Sequence, residues 1–415
     1  MTWQAKLNRW CLSLAVFVLP WQLRHIILWA NHQGEFFEYA SIAIYLSDIL
    51  IGLTLLTWWF IPRKSKLTIG PQEIFWPLTL LLVWLWVSVW YSQFTTGNWL
   101  VGANSAAHFT LFYLFYIYLV NVVKDIKHII VPLAAGGLLQ ALIGISQFWV
   151  NHSLGLKYLG ESVLDPALSG IPVVLVNEWR HLRAHGTLPH ANIFGGYLAA
   201  VLPWVLWLYT AVKLSWQKWV GWLIVAGVLI GVVLSFSRTA WLAAGLILII
   251  WAISRISRRV RVSYQDWGLV LILVGVILGQ YPAIISRFDT ANAIEQESVV
   301  SRLDQLDQFK SIIGKYPITG VGVGQYTLYL EKRDVEEVGW HYNATAPGWQ
   351  YNLSRSVWDY QPVHNIWLLV LAELGWVGGI LFALVWLGAA WVALKLWWWQ
   401  KQGLHFAALS ALGGI

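Results

Sequence analysis

The stretch QPVHNIWLLVLAELGWVGG, residues 361–379, decides how the rest of the chain is read. A proline leads into His364 and Asn365, and an apolar helix begins at once behind them. That helix carries a single carboxylate, Glu373, followed by Gly375, Gly378 and Gly379. A run this apolar is long enough to cross a membrane, so His364 sits at its mouth, where water meets lipid. If the chain does chemistry, this is where it is expected.

Composition agrees. Of 415 residues, 58% are hydrophobic and only 11% charged, against about a quarter charged in a soluble domain. The 31 tryptophans suit interfacial belts, because indole has an apolar body and a polar edge. The net charge of +7 reads as basic cytoplasmic loops rather than as a nucleic-acid surface, and no nucleic-acid partner is expected. Cys11 is the single cysteine, which excludes a disulfide framework and a thiol metal site. Lys6 and Arg9 precede an apolar run with no small-residue cleavage site after Pro20, so the start reads as an uncleaved first span.

Ten spans are expected, over Trp10–Trp29, Ile42–Phe60, Phe75–Tyr91, His108–Val123, Ile129–Val150, Ile193–Val212, Trp219–Phe236, Thr239–Ile253, Trp267–Tyr281 and His364–Trp399. The last is too long for one straight span, and its glycines predict a kink or close packing. An eleventh apolar run begins at Leu404 and stops at Ile415, which reads as a truncated last helix. With the N-terminus in the cytoplasm, the short inside loops hold fifteen of the 27 basic residues, against Glu73, Asp125 and Asp266. The expected fold is therefore all-α: one polytopic membrane domain, 1–415, with about 10–12 transmembrane helices. Two long segments fall outside, 151–192 and 284–363. In the second, Leu303, Leu306, Phe309, Ile312 and Ile313 follow helical spacing from Val299 to Ile313, and 315–326 then turns.

Four outside features hold the candidate chemistry: RAHGTLPHANIFGG (183–196), SFSRTAW (235–241), SRLD (301–304) and His364-Asn365. Arg183, Arg238 and Arg302 are placed to converge on one anionic group, because guanidinium forks match phosphate oxygens in charge and shape. Each has a plainer reading. Arg238 at a helix end can snorkel to the interface. Arg302 can pair with Asp304, and His364 can simply cap its helix. Arg183 stands with His185 and His190, yet they lack the spacing of a metal set, and none is expected. Gly320, Gly322 and Gly324 mimic part of a dinucleotide loop without a surrounding Rossmann unit, so they read as a turn. Glu373 and Asp48 are intramembrane carboxylates that need a partner; helix–helix hydrogen bonding is favoured over a proton path.

Together these segments resemble the O-antigen ligase and polymerase superfamily of bacterial envelopes. Ser237-Arg-Thr-Ala-Trp241 is similar to its Ser-Arg-(Gly/Thr)-x-hydrophobic turn. Arg302 with Tyr316-Pro-Ile-Thr-Gly-Val-Gly322 resembles its R…hPltGvG segment. His364-Asn365, Leu369, Glu373, Gly375 and Gly378 resemble its HN…L…E.G..G signature. Gly186-Thr187 to His190-Ala191-Asn192 resembles its GT…HPN stretch, with Ala191 in place of the proline. The resemblance implies a GT-C-like, metal-independent, inverting glycosyltransferase of the inner membrane, without cofactor and with its site on the periplasmic side. The donor would be a glycan on undecaprenyl diphosphate, and the acceptor a hydroxyl of lipid A core or of another glycan. It further implies that His364 is the general base and that Arg238, Arg183 and Arg302 hold the diphosphate, supported by Asn365, His190 and Glu373. Within the superfamily, O-antigen polymerase and protein O-oligosaccharyltransferase are alternatives to the ligase. A transporter of the inorganic-carbon kind is the alternative of another class, and His364-Asn365 beside Arg238 argues for the enzyme.

Overall fold

A computed structural model describes residues 2–32, 34–62, 66–123, 125–168, 170–176, 179–212, 214–289, 292–338, 340–343, 348–351 and 360–399. The eleventh apolar run, from Leu404, lies outside the described residues. Helix α1 (Trp3–Val18) is followed by strands β1 (Arg24–Leu28), β2 (Asn31–His32), β3 (Glu35–Phe36) and β4 (Ile42–Tyr45). Then come α2 (Leu46–Trp59), α3 (Gln72–Thr95), α4 (Trp99–Val122) and α5 (Lys127–Val150), the ribbon β5 (Val173–Val176) and β6 (Trp179–Leu182), and α6 (Ala191–Ala211), α7 (Ser215–Leu234), α8 (Arg238–Ser257) and α9 (Tyr264–Gly279). The second long segment holds α10 (Tyr281–Ser286), α11 (Ala293–Lys315), α12 (Tyr326–Val338), β7 (Trp340–Asn343) and β8 (Gly348–Tyr351), and α13 (Ile366–Trp399) follows.

Each expected span has a helix at its place, so the fold is the all-α polytopic membrane architecture. Seven of the described helices, α3 to α8 and α13, are long and apolar enough to cross a bilayer. The first two spans begin and end differently from the expectation. The helix over Trp10–Trp29 stops at Val18, and β1 instead pairs antiparallel with β4, Arg24 opposite Tyr45 and His25 opposite Ile44. The reason is local. Pro20 has no N–H to continue the helix, and the β-branched Ile26, Ile27, Ile42 and Ile44 suit a ribbon. The second helix therefore starts at Leu46, with Asp48 in its first turn accepting the Tyr45 N–H at 2.9 Å. The loop helix α11 runs further than its apolar spacing predicted, from Ala293 to Lys315.

The largest buried cluster joins α5, α6, α7, α8 and α9, with Phe194, Leu198, Val225, Val228 and Phe236 at its centre. Small residues set its spacing. A Cβ at Gly144 would lie 2.5 Å from the Phe194 ring, and one at Gly195 the same distance from Ser235 Oγ, so α6 approaches both neighbours closely. A second cluster packs α3 and α4 against α13 through Leu81, Leu85, Val89, Ala106 and Leu374.

The predicted kink in α13 falls at Gly375, whose φ is 63°. There the chain turn 316–325 docks into the broken helix and takes over its backbone partners. Trp376 N donates to Pro317 O at 2.8 Å, while Ala372 O and Glu373 O accept Val321 N and Gly322 N at 2.9 and 2.8 Å. Trp84 Nε1 satisfies the Leu374 carbonyl at 2.9 Å. No helical carbonyl from Ala372 to Leu374 is thus left bare in the apolar interior. Glu373 completes the joint. Its carboxylate accepts the backbone N–H of Gly324 at 2.9 Å and of Tyr326 at 3.3 Å, so its partner is a docked turn and the residue that follows it rather than the side chain of a second membrane helix.

A side chain at Gly375 meets two obstacles. Its backbone, at φ 63° and ψ −168°, costs a non-glycine residue about 1–3 kcal/mol, and its Cβ would lie 2.1 Å from the Ile318 carbonyl oxygen. Gly375→Ala is expected to lower the thermal midpoint of the purified protein by several degrees. An unchanged midpoint would contradict this account of the joint.

Candidate active site

Four chain segments meet at one end of the bundle: the loop 183–190, the turn between α7 and α8, the α10–α11 corner and the start of α13. The loop is held from below by two glutamines on one face of α5. Gln147 Oε1 accepts the backbone N–H of His185 at 3.2 Å and of Gly186 at 2.8 Å. Gln140 accepts Thr187 N at 2.8 Å and donates to its hydroxyl at 2.7 Å. Buried Glu161 accepts from Gln147 Nε2 at 2.8 Å, so the amide is fixed in turn.

The turn Ser235-Phe236-Ser237 is where the cations gather. Arg183 Nε donates to Ser235 O at 2.8 Å, and Arg287 Nε to Phe236 O at 3.2 Å. Phe236 is fully buried with φ 47°, an unusual conformation for a bulky residue. Its ring is wedged between Phe148 and Trp241, with centroids at 5.9 and 6.1 Å, and this packing holds the strained backbone. Ser237 caps α8, which puts Arg238 in its first turn. Arg238 donates to Arg287 O at 2.8 Å and to Glu295 Oε2 at 3.1 Å, while the other oxygen of Glu295 takes Arg287. One buried carboxylate therefore bridges two guanidinium groups.

Arg183, like Arg287, is buried, with Nη2 on Asn192 Oδ1. Burial, reinforced by the charge of Arg287, pushes its pKa down to about 9, so it is still cationic at neutral pH. The pKa of Arg287 is lowered too, by burial first. Arg302 lies exposed on α11 and has no hydrogen-bond or ion-pair partner among the described residues; Asp304 is engaged by Gln308 Nε2 at 2.8 Å instead. Its charge reaches Arg183, Arg287 and His364.

Across from these cations stands His364. Gln305 Oε1, from α11, accepts its backbone N–H at 3.2 Å. The cap of α13 is Asn365, whose Oδ1 accepts Trp367 N at 2.9 Å and Leu368 N at 3.3 Å. The ring of His364 is therefore not needed as a cap, and neither ring nitrogen has a partner among the described residues. Partial burial, then Arg302, moves its pKa below the ordinary histidine value. The His190 ring lies 6.2 Å from it, and His185 a further 6.4 Å away, measured between centroids. Burial pushes these two down to about 3 and about 4, so both are neutral. His190 Nδ1 accepts Asn192 N at 3.0 Å, which puts its proton on Nε2. His185 Nδ1 donates to Arg183 O at 2.6 Å. Among the described residues no group of three His, Cys, Asp or Glu side chains is disposed to hold a metal.

The segments named from sequence thus come together, with Glu373 set apart at the joint below. Sequence reasoning missed Arg287, Glu295, Gln305, Gln140 and Gln147. The two glutamines did carry a signal: polar residues seven apart in an apolar helix share one face and need a partner. Arg287 and Glu295 carried none, since they lie in an irregular polar corner.

Comparison with known proteins adds the family. Residues 222–383 match the family described as O-antigen ligase. The match supports the resemblance to the O-antigen ligase superfamily. The matched stretch contains Arg238, Arg287, Glu295, Arg302, His364 and Glu373, and it ends short of Arg183 and His190. A search of curated proteins finds no match.

Removing one member of a buried ion pair costs more than removing both, because a lone buried charge remains. Glu295→Ala is expected to destabilise the protein by about 3–5 kcal/mol, and Arg287→Met with Glu295→Leu to recover most of that loss. Thermal unfolding of the three proteins measures it. Equal losses would show that the pair does not hold this corner together.

Proposed function

We propose that the protein is a metal-independent, inverting glycosyltransferase that moves a glycan from undecaprenyl diphosphate onto a hydroxyl acceptor, as an O-antigen ligase does with lipid A core. The observation that carries this reading is a histidine with both ring nitrogens unengaged, standing across from a cluster of guanidinium groups. The family match supports an O-antigen ligase or polymerase type of activity.

In this reading His364 takes the proton of the acceptor hydroxyl. The oxygen attacks the anomeric carbon on the face opposite the diphosphate. The carbon–oxygen bond to the diphosphate breaks, and its electron pair leaves on the phosphate oxygen. One displacement inverts the anomeric centre. Arg238 and Arg302, the two more accessible guanidiniums, contact the diphosphate. Arg183 and Arg287 are more deeply placed and add positive charge from behind while they fix the turn that carries Arg238. A diphosphate is already a good leaving group, so charge stabilisation and alignment carry most of the rate gain. The lowered pKa of His364 keeps it neutral, as a base must be, at pH 7. His190 orients the ring of His364, and Asn365 fixes the helix start beneath it.

The test uses protein in proteoliposomes with undecaprenyl-diphosphate glycan and lipid A core, products being resolved on gels. A single shifted band marks a ligase, a ladder on the carrier a polymerase. Losing general-base catalysis typically lowers the rate about 10²–10⁴-fold, and His364→Ala is expected to do so with membrane insertion unchanged. Near-normal transfer by that variant would remove His364 from its role.

The pH profile tests the same residue. Activity should fall on the acid side as His364 becomes protonated, below pH 6.5 given the direction of its shift. Arg302 disfavours the protonated ring, so Arg302→Ala raises that pKa and moves the acid limb to higher pH. A limb that stays put, or moves down, contradicts the assignment.

A further inference from the structure

A polar cavity lies between the β1–β4 ribbon and α4. Its volume is about 230 Å³, below the roughly 300–1,000 Å³ of sites for larger ligands, so it suits one small ring. The Arg24 guanidinium pairs with Glu38 on one wall and reaches the Tyr45 hydroxyl at 3.5 Å. Asn104 and His108 line the opposite wall from α4. They stand about 7 and 13 Å along that helix from its start at the 1.5 Å rise of an α-helix. His108 Nε2 lies 3.2 Å from Asp48 Oδ2, and its ring meets that of Tyr45 edge-on at 5.8 Å. Ionisable groups this far down a membrane helix are costly and are kept where they face a site.

The lining has two properties that narrow its ligand. Its one guanidinium is paired with its one carboxylate, Arg24 with Glu38, which disfavours a phosphate or a free cation. Yet many polar atoms are unengaged among the described residues: the whole Asn104 amide, the Tyr39 hydroxyl, His108 Nδ1, Arg24 Nε and Nη2, and the second oxygen of Glu38. Donors and acceptors alternating around aromatic faces match a neutral, polyhydroxylated ring. The cavity is also joined to the active site. Phe37, next to its wall, is buried in one cluster with Tyr360 and Val363, which lead directly into His364. A Cβ at Gly324, in the turn held by Glu373, would lie 2.7 Å from Ser105 Oγ at the cavity.

We propose that this cavity is a subsite for one sugar ring of a glycan substrate, remote from the bond that reacts. That the ring belongs to a substrate rests on the transfer reaction proposed above. Donor and acceptor both carry such rings, and the experiment separates them. Asn104→Ala and Tyr39→Ala are made in the full chain, reconstituted in lipid nanodiscs. Steady-state transfer is measured while undecaprenyl-diphosphate glycan and lipid A core are varied in turn. Loss of one or two hydrogen bonds corresponds to about 5–10-fold in affinity. The expected result is a KM raised by that factor for one substrate only, with kcat within twofold; the substrate affected is the source of the ring. Unchanged KM for both substrates, in variants with wild-type thermal stability, overturns the proposal.

Direct binding keeps this separate from the fate of the reaction. Core oligosaccharide freed of lipid, and glycan released from its carrier, are titrated by calorimetry into the wild type and both variants. If the wild type transfers nothing, the proposed reaction fails. Saturable binding that is weakened in Asn104→Ala still upholds a sugar site. Absence of binding to the wild type together with absence of transfer overturns it.

Discussion

Everything at this end of the bundle depends on holding several guanidinium groups together without letting them repel one another apart. The sharp turn Ser235-Phe236-Ser237 does this with two carbonyls, one for Arg183 and one for Arg287, and Glu295 supplies the single carboxylate shared by Arg287 and Arg238. Carbonyl dipoles are weak partners compared with carboxylates, and three cations against one anion leave the corner electropositive. A fully neutralised corner would be more stable and would have nothing left for an anionic ligand. The residual field is the property that a phosphate site requires.

The strain at Phe236 and the depth of Arg183 follow from the same demand. A turn with ordinary φ at that position would not present successive carbonyls toward two arginines arriving from different segments. The packing of Phe148 and Trp241 on the Phe236 ring maintains that backbone, and Gly195 lets α6 close in behind it. On the other side, α13 is broken at Gly375 so that the turn 316–325 can dock into it. That docking fixes the end of α11. Through Gln305, α11 in turn fixes the backbone at His364. His364 and the cations are thus positioned by two separate joints that meet across α11.

Much of this was legible in the sequence wherever hydrophobic periodicity or a motif marked it. The apolar runs placed the helices, and the Gly375 kink was readable because a span from His364 to Trp399 is too long to be straight. The segments containing Arg183, Arg238, Arg302 and His364 were readable because charged groups at membrane helix ends need a reason to be there. The first span was misplaced because Ile26, Ile27 and Leu28 look equally apolar in a helix and in a ribbon; pairing with Ile42–Tyr45, a long-range event, decides between them. Arg287 and Glu295 escaped because an ion pair between two irregular segments leaves no periodic trace. The capping role passed from His364 to Asn365 for a reason visible only in the backbone, since either side chain can serve there.

The central claim is a single displacement at the anomeric carbon, driven by a base on one side and a cationic corner on the other. It is tested most directly by the stereochemistry of the product. A donor of known anomeric configuration is transferred by the wild-type protein, and the new linkage is assigned by nuclear magnetic resonance. The account predicts the inverted configuration. Retention would require a covalent glycosyl intermediate or a different attacking face, and it would contradict the arrangement of His364 opposite the arginines as the reacting pair.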